Sequence, residues 1–291
     1  MPRRRVGLAT YAKAPLLAAD DQRLIPAFTA LAVEPVPAVW SDASVNWRSF
    51  DAVMIRSCWD YHLRLPDFHR WLDELASSER MAWNPVSMVR WNADKRYLID
   101  LAARGVSTVP TAIVAQGDAD RALAIASERG WPRIVIKPAV SASGYETHLI
   151  DLATDGAARA TIARVAEIGD VLVQPFVEEI SRDGEFSFTF IDGAFSHATI
   201  KRAAPREFRV QTEHGGTADP VAVSARVVSQ ATAVLDALPE RPLYARVDGI
   251  DRGGSFELME LELIEPNLFL EHGAGAADRL AAAFVNRCGW T

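Results

Sequence analysis

The sequence predicts an α/β protein whose second half is α+β, and three observations support this fold class. Apolar strands and helices alternate near the N-terminus, which is typical of a mostly parallel sheet. A compact α+β unit follows, and strands dominate from Asp183 onward. With 291 residues, 49% of them hydrophobic, the chain is long and apolar enough for one large domain or for two to three small ones.

The N-terminal part, residues 1–91, is predicted to open with a βαβ unit. Residues 5–9 form its first strand, residues 20–31 its helix and residues 52–55 its second, buried strand. Ligands of parallel sheets bind beyond the carboxyl ends of the strands, and the loop 56–61 lies at such an end. The next helix carries a core-packing stripe at helical spacing, formed by Phe68, Trp71, Leu72 and Leu75.

The central part, residues 92–180, is predicted to be a small lid. Asn84-Pro85 opens a connector, and Asn92 or Asp94 caps a helix that carries Lys95 and ends at Gly105. The lid itself is predicted to contain strands 111–114, 134–137, 147–150 and 171–174, and helices 119–129 and 157–168.

The C-terminal part, residues 181–291, is predicted to be a strand-rich core. Two of its strands form a hairpin around the turn Asp192-Gly193. The predicted elements are strands 185–191 and 194–201, helix 224–238, and strands 243–250 and 256–262.

Composition and charge exclude several classes of function. A net charge of -7 argues against a nucleic-acid binder, because nonspecific affinity for nucleic acid comes from basic residues. No apolar stretch approaches the roughly 18 residues of a membrane span, so no membrane partner is expected. Cys58 and Cys288 lie far apart and form no metal-type pair, which excludes a disulfide framework and fits a reducing cytoplasm. The sequence leaves a homodimer open.

The strand 256–262 is the most informative segment, because it carries acids inside an apolar pattern. Side-chain alternation places Glu260 and Glu262 on one face, and burial of two unpaired carboxylates would cost several kcal/mol each. A cation is therefore expected there, and Asp248 on the preceding strand would complete a Mg²⁺ site of oxygen ligands. A solvated acidic face is the alternative. The acidic face also carries Phe256, Leu258 and Ile264, and the opposite apolar ridge is Met259, Leu261 and Leu263.

Lys137 ends an apolar strand and precedes a loop of small residues, 139–144. This arrangement suits a phosphate site, since backbone N–H groups can approach the oxygens while the ammonium neutralises charge. Neither GxxxxGK[ST] nor GxGxxG occurs, so the common nucleotide fingerprints are absent. A surface lysine before a turn is the alternative.

Three further segments suggest ligand binding. Residues 171–179 break at a proline and resume with acids, as a hinge would, although an edge strand ending in a solvated turn is equally consistent. The basic loop after Lys201 includes a glycine pair, and Arg209 is its best candidate for binding an anion. In the loop 56–61, Arg56, Asp60 and Tyr61 could grip a substrate carboxylate and ammonium. Alternatively, Arg56 and Asp60 pair with each other in a structural turn.

Taken in order, these segments resemble the ATP-grasp superfamily over about residues 84–272. The Phe208-Arg209, Gly215-Gly216 and Arg246-Val247-Asp248 segments look closest to its glutathione-synthetase-like ligases. The loop 56–61 and the runs 201–205 and 262–266 are similar to those of the O-ureido-serine cyclo-ligases.

The resemblance implies an ATP-grasp fold with an N-terminal pre-grasp domain, a lid and a core. It also implies a ligase in which a carboxylate attacks ATP, giving an acylphosphate and ADP, and an amine then displaces phosphate. The substrate would be small and amino-acid-like, and the reaction would join two molecules or close a ring in one. A kinase or a noncatalytic nucleotide-binding module is the alternative.

The resemblance also assigns roles to individual residues. It implies phosphate contacts from Lys95 and Lys137, with Ser143 in the lid loop, and an adenosine site formed by Gln174, Phe176, Val177, Glu178 and Glu185. It implies Mg²⁺, with Mn²⁺ as a substitute, at Asp248, Glu260 and Glu262. Catalytic cations would be Arg246, Arg209 and Lys201, and substrate contacts would be Arg56, Asp60, Tyr61 and Asn267.

One departure from the superfamily concerns the last metal ligand. Most members end the metal strand with Glu-x-Asn, whereas here Glu260-x-Glu262 fits the spacing from Asp248 and Glu265-x-Asn267 fits the residue types. We predict Glu260 and Glu262, because they share a strand face. Glu265 and Asn267 are then ligands in a second register or residues that face the substrate.

Overall fold

The computed structural model describes residues 3–77, 81–205, 207–211 and 214–290, which form three β-sheets. The first sheet is parallel, in the order β2-β1-β3-β4; the two predicted strands pair in parallel, but a strand that was not predicted, β2, follows the first helix. Its strands are β1 (Arg5–Thr10), β2 (Glu34–Val39), β3 (Ala52–Ile55) and β4 (Met81–Trp83), and the helices of this part are α1 (Leu24–Ala30), α2 (Leu65–Ser77) and α3 (Val86–Asn92).

Strand β2 was not predicted, because Pro35 and Pro37 lack the backbone N–H that a strand ladder needs. It lies at the edge of the sheet, where proline is tolerated, and pairs with β1 along its whole length. The predicted helix 20–31 is shorter than expected, since a 3₁₀ turn at Asp21–Arg23 precedes α1.

The second sheet is antiparallel, in the order β5-β8-β6-β7. Its six predicted strands and helices are each present to within one residue at either end. Two helices cover one face, while Ile113 and Leu172 on the other face pack into the core of the third sheet. The elements are α4 (Tyr97–Ala103), β5 (Ala112–Val114), α5 (Ala119–Glu128), β6 (Arg133–Pro138), β7 (His148–Asp151), α6 (Ala158–Ile168) and β8 (Val171–Pro175).

The third sheet is also antiparallel, in the order β11-β10-β9-β12-β13, so the expected parallel pairing holds for the first sheet alone. The predicted hairpin is β9-β10. Helices α7 and α9 and strand β11 were not predicted. The elements are α7 (Glu178–Asp183), β9 (Glu185–Ile191), β10 (Ala194–Arg202), β11 (Thr217–Pro220), α8 (Ala225–Asp236), β12 (Tyr244–Asp251), β13 (Phe256–Glu262) and α9 (Ala276–Arg287).

Helix α9 joins the first sheet to the third. Phe284 on α9 meets Phe28 on α1 edge to face at 5.3 Å, and both belong to a cluster that includes Leu8 of β1 and Tyr244 of β12. Buried aromatic pairs of this geometry contribute about 0.5–1.5 kcal/mol beyond their area. The two sheets are thereby held around a common cleft.

Two composition-based expectations can be compared with the structure. Every helix in the described ranges is too short or too polar to cross a membrane. Cys58 and Cys288 are both buried free thiols.

Candidate active site

One face of the third sheet is apolar and the other is charged. Phe188 on β9 and Val247 on β12 pair in register, and both lie in the core formed with α8. Because successive side chains point to opposite faces, the alternate residues form a polar face. The register places Lys201 beside Glu185, Arg246 beside Glu262, and Asp248 beside Glu260.

A β-bulge turns the two glutamates of β13 toward this polar face. Asp248 pairs with Glu260, whereas Gly249 pairs with Leu258, which leaves Met259 as the extra residue. The prediction that the glutamates share a face with the apolar residues before them is therefore wrong, because strict alternation does not survive a bulge. The residues buried on the opposite, core side are Phe256, Leu258, Leu261 and Leu263.

Side chains from α3 and α4 take the place of a neighbouring strand along the outer edge of β13. Asn92 donates from Nδ2 to the carbonyl of Leu261 at 2.8 Å, and its Oδ1 accepts the N–H of Leu263 at 2.8 Å. The Tyr97 hydroxyl accepts the N–H of Leu261 at 3.0 Å. Asn92 therefore clamps the acidic strand and does not cap α4, which begins at Tyr97 without a side-chain cap; Asp94 accepts the N–H of Arg96 just before the helix.

We expect Asn92→Ala to lower the free energy of unfolding by about 2–4 kcal/mol. The change leaves one buried N–H and one buried carbonyl of β13 without partners, each worth about 1–3 kcal/mol. Urea titration followed by tryptophan fluorescence measures the loss. Asn46→Ala is the matched control, because Asn46 makes one exposed capping bond to Arg48 and should cost about 1 kcal/mol. Equal losses in the two variants would contradict the clamp.

Asp248 is the most enclosed acid of the polar face, at 1% exposure. Arg246 reaches its Oδ1 from Nε at 2.9 Å and its Oδ2 from Nη2 at 2.8 Å, and Lys201 Nζ reaches Oδ2 at 2.8 Å. Lys201 Nζ also lies 3.4 Å from Oε2 of Glu185. Burial alone would raise the pKa of Asp248, but Arg246 and Lys201 hold it below its usual value. Asp248 is therefore a carboxylate at neutral pH.

Glu260 bridges two lysines that come from outside the third sheet. Lys95 Nζ lies 2.7 Å from Oε1 of Glu260 and donates to the carbonyl of Ser141 at 2.8 Å. Lys137 Nζ lies 3.7 Å from Oε2. Burial would raise the pKa of Glu260, but Lys137 and Lys95 hold it far below its usual value. Burial and the neighbouring Lys95 lower the pKa of Lys137.

Glu262 and Glu265 occupy the end of the cleft beyond these lysines. Glu262 accepts a hydrogen bond from Nη2 of Arg246. Burial, opposed by Arg246 and reinforced by Asp248, raises the pKa of Glu262 to about 7. Burial and the neighbouring Glu262 raise the pKa of Glu265 to about 8. These two carboxylates are therefore undercompensated in charge.

Most of these charged groups line one cleft that is open to solvent. Sequence reasoning assigned no role to Trp59 and Phe269, which also line the cleft, although Trp59 lies inside the loop 56–61 and Phe269 follows Asn267 by two residues. The predicted site residues that line the cleft are Tyr61, Lys95, Lys137, Ser143, Lys201, Arg246, Glu260, Glu262 and Asn267.

The residues predicted to bind adenosine lie along the connection from the second sheet to the third, outside this lining. Gln174 is buried on β8 and donates to the Thr111 hydroxyl at 2.9 Å. Phe176 lies under the Arg133 guanidinium at 4.5 Å. The segment ends with Val177, which is buried. Glu178 is exposed, begins α7 and pairs with Arg133. Glu185 on β9 belongs to the buried polar face instead.

Arg209 lies beside the cleft and does not line it. Its Nη2 is 2.8 Å from Oε2 of Glu207, and the residues that follow it, Val210 and Gln211, form part of the lining. A Cβ on Gly144 would lie 3.4 Å from Cδ of Arg209, so the small-residue loop and the basic loop meet over the cleft. Arg206, another cation of the basic loop, lies outside the described residues.

The structure corrects the roles expected for Arg56 and Asp60. Arg56 is fully buried below the cleft, where Nε and Nη2 donate to Oδ1 of Asp21 at 2.9 and 2.8 Å. Its Nη2 also donates to the carbonyl of Pro266 at 2.6 Å. Asp60 instead accepts the indole N–H of Trp40 at 2.7 Å. Arg56 and Asp60 thus neither line the cleft nor pair with each other, and Tyr61 alone of the three faces it.

The oxygen donors of the polar face fit a hard divalent cation in their chemistry, although each is paired in this structure. Across the described residues, no three histidine, cysteine or acidic side chains are grouped as a ready metal site. Glu260 and Glu262 line the cleft, while both oxygens of Asp248 are engaged by Arg246 and Lys201. The acids can coordinate a metal ion only if the cations that now pair with them bind another anion instead.

The chain has the fold of the ATP-grasp ligases. It aligns with the D-alanine–D-alanine ligase of Bacillus anthracis over 99% of this chain and 98% of the other, with a TM-score of 0.70 and 14% identity. The ATP complex of that ligase aligns with a TM-score of 0.67. At this identity the likeness concerns the fold alone.

Closer relatives specify the family. The cycloserine biosynthesis protein DcsG of Streptomyces lavendulae is 34% identical over 264 residues, covering 85% of this chain and 87% of the relative. The crystal structure of D-cycloserine synthetase DcsG is 28% identical, with a TM-score of 0.89 over 98% of this chain and 99% of the other. The family profile for the N-terminal domain of D-cycloserine synthetase DcsG matches residues 6–84. The chain belongs to the DcsG family of ATP-dependent carboxylate–amine ligases.

Proposed function

We propose that the chain closes a ring within O-ureido-serine, activating its carboxylate with ATP and displacing phosphate with a nitrogen of the same molecule. The observation that carries the proposal is the set of four cations that line one cleft. Phosphoryl transfer depends mainly on positioning and on neutralising charge, and fixed cations supply both. The four are Lys95, Lys137, Lys201 and Arg246. The similarity to cycloserine-forming relatives supports the choice of substrate.

ATP would bind with its phosphates toward Lys95 and Lys137. Both lysines line the cleft and share Glu260 as their counter-ion, so an incoming phosphate can replace that carboxylate. Ser143 and the other small residues of its loop would allow close approach of the phosphates. Gln174 to Glu178, together with Glu185, would form the adenosine wall at the hinge.

Mg²⁺ would bind to Glu260, Glu262 and Asp248, whose oxygens suit this cation. When bound, the ion would neutralise charge on the transferred phosphoryl group. Release of Glu260 by its lysines would make the carboxylate available as a ligand. The same exchange would couple ATP binding to metal binding.

The reaction would proceed in two balanced steps. A carboxylate oxygen attacks the γ-phosphorus, the bond to ADP breaks, and an acylphosphate forms. A substrate nitrogen then attacks the acyl carbon and loses a proton, and phosphate leaves. Arg246 and Lys201, which line the cleft, would stabilise the negative charge of the acyl centre, whereas Arg209 would contribute only after leaving Glu207.

The proposed function is tested with purified protein, ATP, Mg²⁺ and O-ureido-D-serine. We expect ADP and phosphate to appear in equal amounts together with a cyclic product seen by mass spectrometry. A stable phosphorylated substrate without phosphate release would instead identify a kinase. ATP binding without turnover across an amino-acid panel would identify a noncatalytic nucleotide-binding module.

A further inference from the structure

We infer that the carboxylate of Glu265 binds an ammonium group of the substrate, so that the enzyme selects an amino acid with an unmodified α-amine. The inference rests on the proposed function and deepens it. It follows from the charge pairing within the cleft, from the position of Glu265 in the fold, and from the chemistry of ring closure.

Glu265 differs from the other acids of the cleft in its pairing. Glu260, Glu262 and Asp248 each have a lysine or arginine nitrogen within ion-pair distance, as does Glu185. Within the described part of the chain, the Glu265 carboxylate has no cation within the 4.0 Å that defines such a pair. A partly buried acid without a counter-ion is costly to ionise, so a cationic ligand at this position would stabilise its charged form.

The backbone around Glu265 is held firmly, which fixes where its side chain can act. The Trp59 indole donates to the Glu265 carbonyl at 2.9 Å, and Arg56 donates to the next carbonyl, that of Pro266. Trp59 and Tyr61 also line the cleft, and aromatic side chains attract cations. The nearby Lys95 already bonds Glu260 and Ser141.

Ring closure leaves the α-ammonium of an amino acid unreacted. The carboxylate is activated and a distal nitrogen closes the ring, so the ammonium keeps its positive charge throughout. The cations of the cleft attract phosphates and the substrate carboxylate but repel an ammonium. An uncompensated acid on the cleft wall would therefore orient the substrate, with its ammonium on Glu265 and its carboxylate toward Arg246 and Lys201.

The test compares O-ureido-D-serine with its N-acetyl derivative, in binding and in turnover. Binding is measured by calorimetry on protein loaded with a nonhydrolysable ATP analogue and Mg²⁺. We expect the wild type to bind the amine at least about 100-fold more tightly than the acetylated compound, and Glu265→Gln to reduce this preference to less than about fivefold. KM for ATP should change less than about twofold.

Two variants make the result specific. Glu265→Asp keeps the charge and should keep most of the preference, whereas a folded Glu265→Asp that loses it completely would contradict the inference. Glu257→Gln is the matched control on β13, since Glu257 pairs with Arg252 outside the cleft. Wild-type protein that binds both compounds equally, or neither, overturns the inference. Absence of phosphate release with a retained binding preference overturns the proposed function alone.

Discussion

Replacing Glu260 by glutamine is expected to lower turnover about 100-fold or more, equivalent to about 2.7 kcal/mol of transition-state stabilisation. It should also raise the Mg²⁺ concentration for half-maximal rate about tenfold or more. The carboxylate is fully ionised, faces the cleft and lies opposite Asp248, so it is the best-placed oxygen ligand on the polar face. Steady-state rates over a Mg²⁺ titration measure both effects.

Binding of ATP without metal separates the two roles that Glu260 can have. Glutamine removes an anion beside Lys95 and Lys137, so metal-free ATP should bind at least as tightly as before. Weaker metal-free binding with an unchanged Mg²⁺ requirement would show that Glu260 only positions the lysines.

Two further variants test which residue is the last metal ligand. We expect Glu262→Gln to raise the Mg²⁺ requirement and Asn267→Ala to leave it unchanged. Glu262 lies opposite Arg246 on the polar face, whereas the Asn267 side chain accepts the N–H of Phe269 in a local turn. Glu257→Gln, on the same strand but outside the cleft, is the control. If Asn267→Ala raises the Mg²⁺ requirement and Glu262→Gln does not, the second register, with Glu265 and Asn267 as ligands, is favoured.

The fold was predictable wherever local pattern and tertiary packing agree. The elements of the second sheet have apolar periodicities that match their buried faces, and their limits were found to within one residue, as were the limits of β13. Strand β2 was missed because its prolines oppose a strand locally, and only its edge position in the sheet permits them. Helix α9 was missed because its apolar face packs against α1, which lies far away in sequence.

The candidate site was predictable in its residue types and less so in its pairing. Strand alternation correctly placed Glu260 and Glu262 together, because both follow the bulge at Met259. It misplaced Phe256 and Leu258, which precede the bulge, since the extra residue depends on pairing with β12. The partners of the acids, above all Lys95 and Lys137, come from other parts of the fold, and no local pattern specifies such distances.

Arg56→Ala is expected to lower the free energy of unfolding by about 3–5 kcal/mol. Removing one partner of a buried ion pair leaves the other charge uncompensated, here Asp21, which is 3% exposed. The change also removes the bond to Pro266 and the stacking of the guanidinium on Tyr244 at 4.7 Å. Urea unfolding of wild type and variant measures the loss. Arg159→Ala, at an exposed pair with Asp120, is the control and should change stability little.

A double variant tests whether the uncompensated charge of Asp21 causes the loss of unfolding free energy in Arg56→Ala. Adding Asp21→Asn to Arg56→Ala removes the uncompensated carboxylate. The double variant should therefore lose less unfolding free energy than the sum of the losses in the two single variants. The alternative, in which Arg56 grips the substrate, requires a raised KM for substrate at nearly unchanged stability. Unfolding free energies within about 0.5 kcal/mol of wild type would therefore contradict the structural role. A loss of several kcal/mol that is partly restored by Asp21→Asn would mean that Arg56 supports the cleft from below, holding Pro266 between Glu265 and Asn267.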